Sequence, residues 1–280
     1  MRAPVLHSAR LTLRILATTA FTLGPTVFAE SFSSAALVTP RPKPNDPYRY
    51  FGGRTVTVPL LIHAPETEEL SIRAELWQLA TNLLAPVGGE LEVPLSAAAG
   101  AGPASELDFS VALPAVKRET DFELRFRSCR QGTQVWQAAG RIPLRVYPAD
   151  LLGSVRAWAE SHPVQVEDDH GSVIELLRLH GIPIATQPGA RGVTLYAGPR
   201  ALEKQARLPF RHDEMAIVIF AESQTEIPRL FIDRTGRQTT VRVEMRVLDR
   251  LAADPLAQKV ILEVFKLLQE QAPLNTGVIP

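Results

Sequence analysis

Apolar residues follow two different periods along this chain. Up to Tyr147 they recur at every second position. Beyond Pro148 they recur at helical spacing, between short continuous apolar runs. In the first part, Val56, Val58, Leu60 and Ile62 form one row, and Ile72, Ala74 and Leu76 alternate with Arg73, Glu75 and Trp77. Phe122, Leu124 and Phe126 likewise alternate with Glu123, Arg125 and Arg127. Alternation of this kind predicts strands with one buried and one wet face, because successive side chains leave a strand on opposite sides. Further segments at 90–95, 107–113, 133–138 and 142–147 bring the count to about seven, which argues an antiparallel sandwich of the immunoglobulin-like kind. Turn-formers separate them: Gly88-Gly89, the soft run 97–104, Gln131-Gly132 and Gly140. The Cys-Trp-Cys core of antibody domains is missing, so the expectation concerns architecture alone.

After Pro148 the pattern becomes that of a sheet covered by helices. Leu151, Val155 and Trp158 share a helical face. A brief strand at 164–167 is followed by Ser172-Val-Ile-Glu175, which has the form of a capping box, and Gly181 supplies a left-handed stop to the helix it opens. Short strands are expected at 183–186 and 193–196, and a helix at 199–206. Ala216 to Phe220 is continuously apolar, as in a parallel strand covered on both faces. A hairpin is predicted with strands at 229–232 and 240–247, turning at 233–236. Asp254-Pro255 opens a closing helix through Gln269, with Val260, Ile261, Val264, Phe265 and Leu268 as its apolar stripe. This alternation predicts an α/β three-layer, flavodoxin-like domain.

The resulting organisation is a signal peptide at 1–29, a Pro-rich tether at 30–47, the sandwich at 48–147, the α/β domain at 148–272 and a tail at 273–280. Arg2, Arg10 and Arg14 lead an apolar run that ends at Val27-Phe28-Ala29, which has small residues where a signal peptidase requires them. The run is shorter than the roughly 20 residues of a membrane helix, and Gly24-Pro25 interrupts it. The expectation is export by the general secretory route, cleavage after Ala29, and a periplasmic or extracellular protein without a membrane span. Pro40, Pro42, Pro44 and Pro47 predict an extended spacer.

Charge and cysteine content narrow the function. Without residues 1–29, 27 Lys and Arg face 30 Asp and Glu, a formal charge of −3. No basic footprint for nucleic acid is present. Cys129 is the sole cysteine, so no internal disulfide forms, and its position in an alternating segment reads as a half-buried strand residue.

Ligands of open α/β sheets sit at the carboxyl ends of strands. Asp168, Asp169 and His170 follow the strand at 164–167, and Glu222 follows the one at 216–220, so these four form a candidate ligand or cation site. Acids there equally serve as partners for the next helix start. A phosphoacceptor arrangement at these carboxylates needs a lysine at a later strand end, and none occurs there. Trp77 and Trp136 are candidate sugar-stacking residues on the sandwich. No nucleophile elbow, His-Glu-x-x-His, paired Cys-x-x-Cys or phosphate loop occurs, so no catalytic residue, metal ligand set or cofactor is assigned.

The stretch 169–181, an acidic turn, a capped helix and Leu-x-x-Leu-His-Gly before Ile-Pro, combines with Leu-Tyr-Ala-Gly-Pro-Arg-Ala at 195–201. Through these, residues 164–222 resemble a divergent class I glutamine amidotransferase-like domain. Active members carry a cysteine on a strand-to-helix elbow and a later His-x-Glu. Both are missing here, so the resemblance implies a non-catalytic domain. The resulting expectation is an exported, non-enzymatic accessory protein that binds or scaffolds an envelope protein or polysaccharide. The alternative is a hydrolase using the strand-end carboxylates, with or without a cation.

Overall fold

A computed structural model describes residues 36–41, 48–64, 70–81, 83–94, 104–185, 192–207, 216–223, 228–235, 238–245, 248 and 251–271. The expected signal peptide and tail lie outside them. The chain divides into two compact units, with the change between Ala149 and Asp150.

The first unit is a β-sandwich. Its strands are β1 (Leu37–Pro40), β2 (Tyr48–Phe51), β3 (Thr55–His63), β4 (Leu70–Ala80), β5 (Leu83–Pro86), β6 (Leu91–Val93), β7 (Ser105–Ala112), β8 (Thr120–Arg130) and β9 (Gln137–Tyr147). One sheet has the order β1-β3-β7. The other runs β2-β9-β8-β4-β5, with β6 also against β4. The rows expected to face inward do so: Val58, Leu60, Leu124 and Ile142 are fully enclosed in one apolar core. Phe109 of β7 meets Phe126 of β8 edge-on across that core, with ring centres 6.2 Å apart. Tyr48 and Tyr50 of β2 reach over to the other sheet. Their hydroxyls donate to the carbonyls of Arg41 and Thr57, each at 3.0 Å.

Two local expectations change. The tether was placed at 30–47, yet 37–40 is strand β1, paired with β3, and Val38 is buried. Of the four prolines only Pro40 lies in the described strand, at its end, and an edge strand tolerates it there. Gly140, expected as a turn, lies inside β9, so the segments at 133–138 and 142–147 do not form two strands. The Val38 carbonyl packs where a Cβ of residue 140 would be, so this crossing of chains requires glycine. Opposite it the β8–β9 register shifts and Ala139 bulges into the core.

The second unit contains α1 (Gly153–Ala159), β10 (Val164–Asp168), α2 (Ser172–Leu179), β11 (Val193–Ala197), α3 (Ala201–Arg207), β12 (Ala216–Glu222), β13 (Arg229–Thr235), β14 (Gln238–Met245) and α4 (Pro255–Gln271). Its sheet has the order β10-β11-β12-β14-β13, parallel except for β13. Helices α1, α2 and α4 bury one face with Leu195, Val218, Phe220 and Val243. Ala201 of α3 packs with Tyr196, Ile217 and Ile219 on the other. The hairpin turn is tighter than expected, since Thr235 already pairs with Gln238. The expected strand at 183–186 reduces to a single bridge from Ile184 to Val164, with Thr186 outside the described residues. Helix α4 starts as its sequence indicates: Asp254 Oδ1 accepts the Leu256 amide at 2.8 Å, just after Pro255.

The order of the five named strands does not by itself establish a flavodoxin-like sheet. A flavodoxin sheet runs 2-1-3-4-5, with its first strand inside. Here β10 pairs with β11 on one side, while on its other side Ile184, from the expected second strand, bridges parallel to Val164, and the final hairpin reverses the last two strands. Helix α2 leads from β10 outward to the Ile184 bridge and α3 leads from β11 the other way to β12, and the two helices lie on opposite faces, so the two crossovers share one hand.

Phe122, Phe126 and Phe265 are each no more than 1% exposed. Truncating any of them to alanine is expected to cost roughly 3–5 kcal/mol. Chemical denaturation of each variant against the parent checks this, and midpoints unchanged from the parent would show that the rows are not core.

Candidate functional site

Three of the four strand-end candidates lie at or just beyond the carboxyl end of β10. Asp168 ends β10 and Asp169 opens the bend after it, and the two side chains meet different helices. Asp168 faces the side of Val166 and α2. Its Oδ2 accepts the amides of Val173 and Ile174 at 2.6 and 3.3 Å, and Oδ1 accepts that of His170 at 3.0 Å. This corrects the expected capping box. Gly171, at φ +77°, is the N-cap and has no side chain to offer. Ser172 is already the first helical residue, so the strand-end carboxylate does the capping from outside the helix.

Asp169 turns to the other face and caps α3. Its Oδ2 accepts the Arg200 amide at 3.0 Å, and its Oδ1 lies 2.8 Å from Lys204 Nζ and 3.5 Å from Arg200 Nη2. Its side chain is only 5% exposed. The Lys204 hydrogen bond above all, with the Arg200 amide and the two positive charges, outweighs burial and holds this carboxyl below its ordinary range. Gly198 makes the approach feasible: it has φ +106°, and a Cβ there would sit 2.7 Å from Asp169 Cβ. A lysine does therefore stand beside a strand-end carboxylate, contrary to expectation, but it comes from helix α3.

His170 is exposed on the turn, and Glu222 closes β12 with its side chain outside the described residues. Asp168, Asp169 and His170 are thus neighbours in sequence that do not converge on a common point. Among the described residues no three His, Cys, Asp or Glu side chains are grouped to hold a metal ion. A carboxylate that accepts three amides, or one that is enclosed beside a lysine, is poorly placed to pass protons to a substrate. Lys204 and Arg200 were missed because 35 and 31 positions separate them from Asp169. Only the Gly198-Pro199 turn hinted at a close approach.

The sandwich candidates lie on the outward face of the larger sheet. Trp77 and Trp136 are half-buried, each beneath a guanidinium: Arg125 lies 4.5 Å from the Trp77 ring centre and Arg73 lies 4.3 Å from that of Trp136. Trp77 Nε1 donates to Glu75 at 2.9 Å, Arg125 pairs with Glu123 at 2.6 Å, and Arg73 pairs with Glu90 at 2.7 Å. The result is a mosaic of cation–π and ion pairs. The arginines occupy ring faces on which a sugar would stack. Cys129 is buried and donates to the Thr133 carbonyl at 3.1 Å, as a packed strand residue does.

No protein-family model and no curated protein matches this chain. Among solved structures, the chain is similar to a Niemann-Pick type C2 protein from Japanese carpenter ant. The match has 10% identity and a TM-score of 0.25, and covers 40% of this chain and 89% of that one. Overlap this slight supports neither a fold assignment nor a ligand. Among the described residues, no helix is long and apolar enough to cross a membrane.

Two predictions follow from the aspartates. Asp168→Ala is expected to cost about 1–2 kcal/mol through the lost cap, while Ser172→Ala costs a few tenths. Denaturation of both variants separates strand-end capping from the capping box. The lowered pKa of Asp169 means that its contribution is complete above the ordinary carboxylate range and disappears as pH falls through the folded value. Asp169→Asn should therefore lower the melting temperature at neutral pH and flatten its decline below about pH 4. An acid limb identical to that of the parent would refute this linkage.

Proposed function

We propose that this protein is a non-enzymatic accessory module, exported to the envelope, that binds a protein partner through the outward face of its larger sandwich sheet. The observation that carries the reading is the pairing of two half-exposed tryptophans, each stacked with an arginine, on one face among alternating acids and arginines. Trp and Arg dominate the energetic centres of protein interfaces. Interleaved charge of both signs suits recognition of a folded protein better than that of a uniformly charged polymer. A polysaccharide is the less favoured ligand because Arg73 and Arg125 cover the rings that would receive it.

We infer that the sandwich is immunoglobulin-like. In support, the amino-terminal strand is shared between the sheets: β1 pairs antiparallel with β3, and β2 pairs parallel with the last strand, β9. The groups β1-β3-β7 and β9-β8-β4 match the division of such domains into two sheets. The α/β unit serves in this reading as a non-catalytic companion. The resemblance to amidotransferase-like domains is kept only in the sense of a layered sheet without reactive groups. A hydrolase built on Asp168, Asp169 and Glu222 has no observation in its favour, since the first two carboxylates are engaged with backbone amides.

A photo-crosslinking residue at Arg141, exposed on the same face, tests the partner in expressing cells. A discrete cross-linked envelope protein is expected, and Trp77→Ala with Trp136→Ala should reduce its yield roughly tenfold, as loss of hot-spot aromatics does. A yield indifferent to both substitutions would reject the face. Amino-terminal sequencing of the recovered chain should begin at Glu30, and a chain retaining residues 1–29 would reject export by cleavage.

A further inference from the structure

We infer that β13 is a self-association edge, on which a second copy of this chain adds its own β13 antiparallel about a two-fold axis at Phe231. Strand β13 ends its sheet and pairs with β14 but with no other described strand. Leu230, Phe231 and Ile232 at its centre are half-buried, and Arg229, Asp233 and Arg234 are exposed. An unpaired edge with apolar residues at its middle invites another strand unless something blunts it.

Three of the other edges are blunted. On the outer side of β10, Val164 is bridged to Ile184, and its carbonyl accepts the Ala185 amide at 2.8 Å. Strand β5 is four residues long and ends in Pro86. Strand β7 presents Glu106 and Asp108, both held by Arg41. Within its described pairing β13 contains neither a proline nor a bulge, and its register with β14 is unbroken over seven residues.

Self-complementarity fixes the register. Arg229, Phe231 and Asp233 lie on one face, opposite Glu244, Arg242 and Thr240 of β14. A two-fold at Phe231 sets Arg229 of each copy opposite Asp233 of the other, and Phe231 against its own counterpart. On the reverse face Leu230 meets Ile232, again twice. Residues directly opposite in antiparallel strands approach closely enough to pair, and opposite charges there are favourable. Moving the axis to Ile232 instead opposes Phe231 with Asp233 and Leu230 with Arg234. Moving it to Leu230 opposes Arg229 with Phe231. Only the axis at Phe231 matches charge with charge and apolar with apolar, the self-matching that a two-fold interface requires.

Sedimentation of the purified chain over a wide concentration range tests this, with circular dichroism as the check on folding. The parent is expected to dimerise. Arg229→Asp and Asp233→Arg each place two like-charged pairs at the interface, and each should raise the dimer Kd roughly tenfold or more. The double exchange Arg229→Asp with Asp233→Arg restores both pairs and should restore the dimer. A parent that is monomeric throughout, folded single variants that associate as the parent does, or a double exchange that fails to recover association would each overturn the proposal. Failure here leaves the proposed partner face untouched, because the two surfaces share no residue.

Discussion

The α/β unit depends on two consecutive carboxylates at the end of one strand. Asp168 closes β10 and Asp169 opens the bend that follows, and the two carboxylates serve opposite faces of the sheet. Each meets the amino end of a different helix, α2 on one face and α3 on the other. Free amides at a helix start are a standing requirement for acceptors, and a strand-end carboxylate satisfies them without using a residue of the helix. The divergence of α2 and α3 and the direction of these carboxylates are thus one geometric fact. Had both helices packed on the same face, one of the two acids would have no amide to meet.

The sandwich is organised by a different balance. Its core rows are apolar and enclosed, so the outward face of the larger sheet is free to be polar. Arginine recurs at alternate positions there and would repel itself if left unpaired: Arg73 is opposite Arg127 and Arg125 is opposite Arg141. The interposed acids Glu75, Glu90 and Glu123, and the indoles of Trp77 and Trp136, separate and neutralise these charges. Single exposed pairs contribute little, on the order of 0–1 kcal/mol. Their combined effect is to hold two large aromatic rings in fixed orientation at a surface.

Much of this was legible in the sequence because it is local. Period two gave the inward rows of β3, β4 and β8, and Asp254-Pro255 gave the start of α4. The single apolar run of β12 pointed to a strand covered on both sides. What stayed illegible depends on residues distant in the chain. Ser172 and Glu175 have the form of a capping box, but the cap arrives from Asp168 across a glycine turn. Gly140 has the composition of a turn, but it is glycine because the Val38 backbone crosses it. Strand order is not written in any local period, so the place of each strand in the sheet follows only from its pairings. The partners of Asp169 follow only from which strand lies beside β10.

The same distant pairing explains why this strand end is unsuited to being a conventional ligand pocket. An anion entering there would have to displace Asp169 from Lys204 and from the Arg200 amide. The carboxylate it displaces is tethered to the sheet beside them, so it competes at a high effective concentration. A released Asp169 would also have to be rehydrated or protonated, since an enclosed charge without partners is costly. Any ligand would have to recover both terms from its own contacts. The position where other layered sheets receive a substrate group is filled here by a group of the protein itself, which turns a binding position into a structural joint.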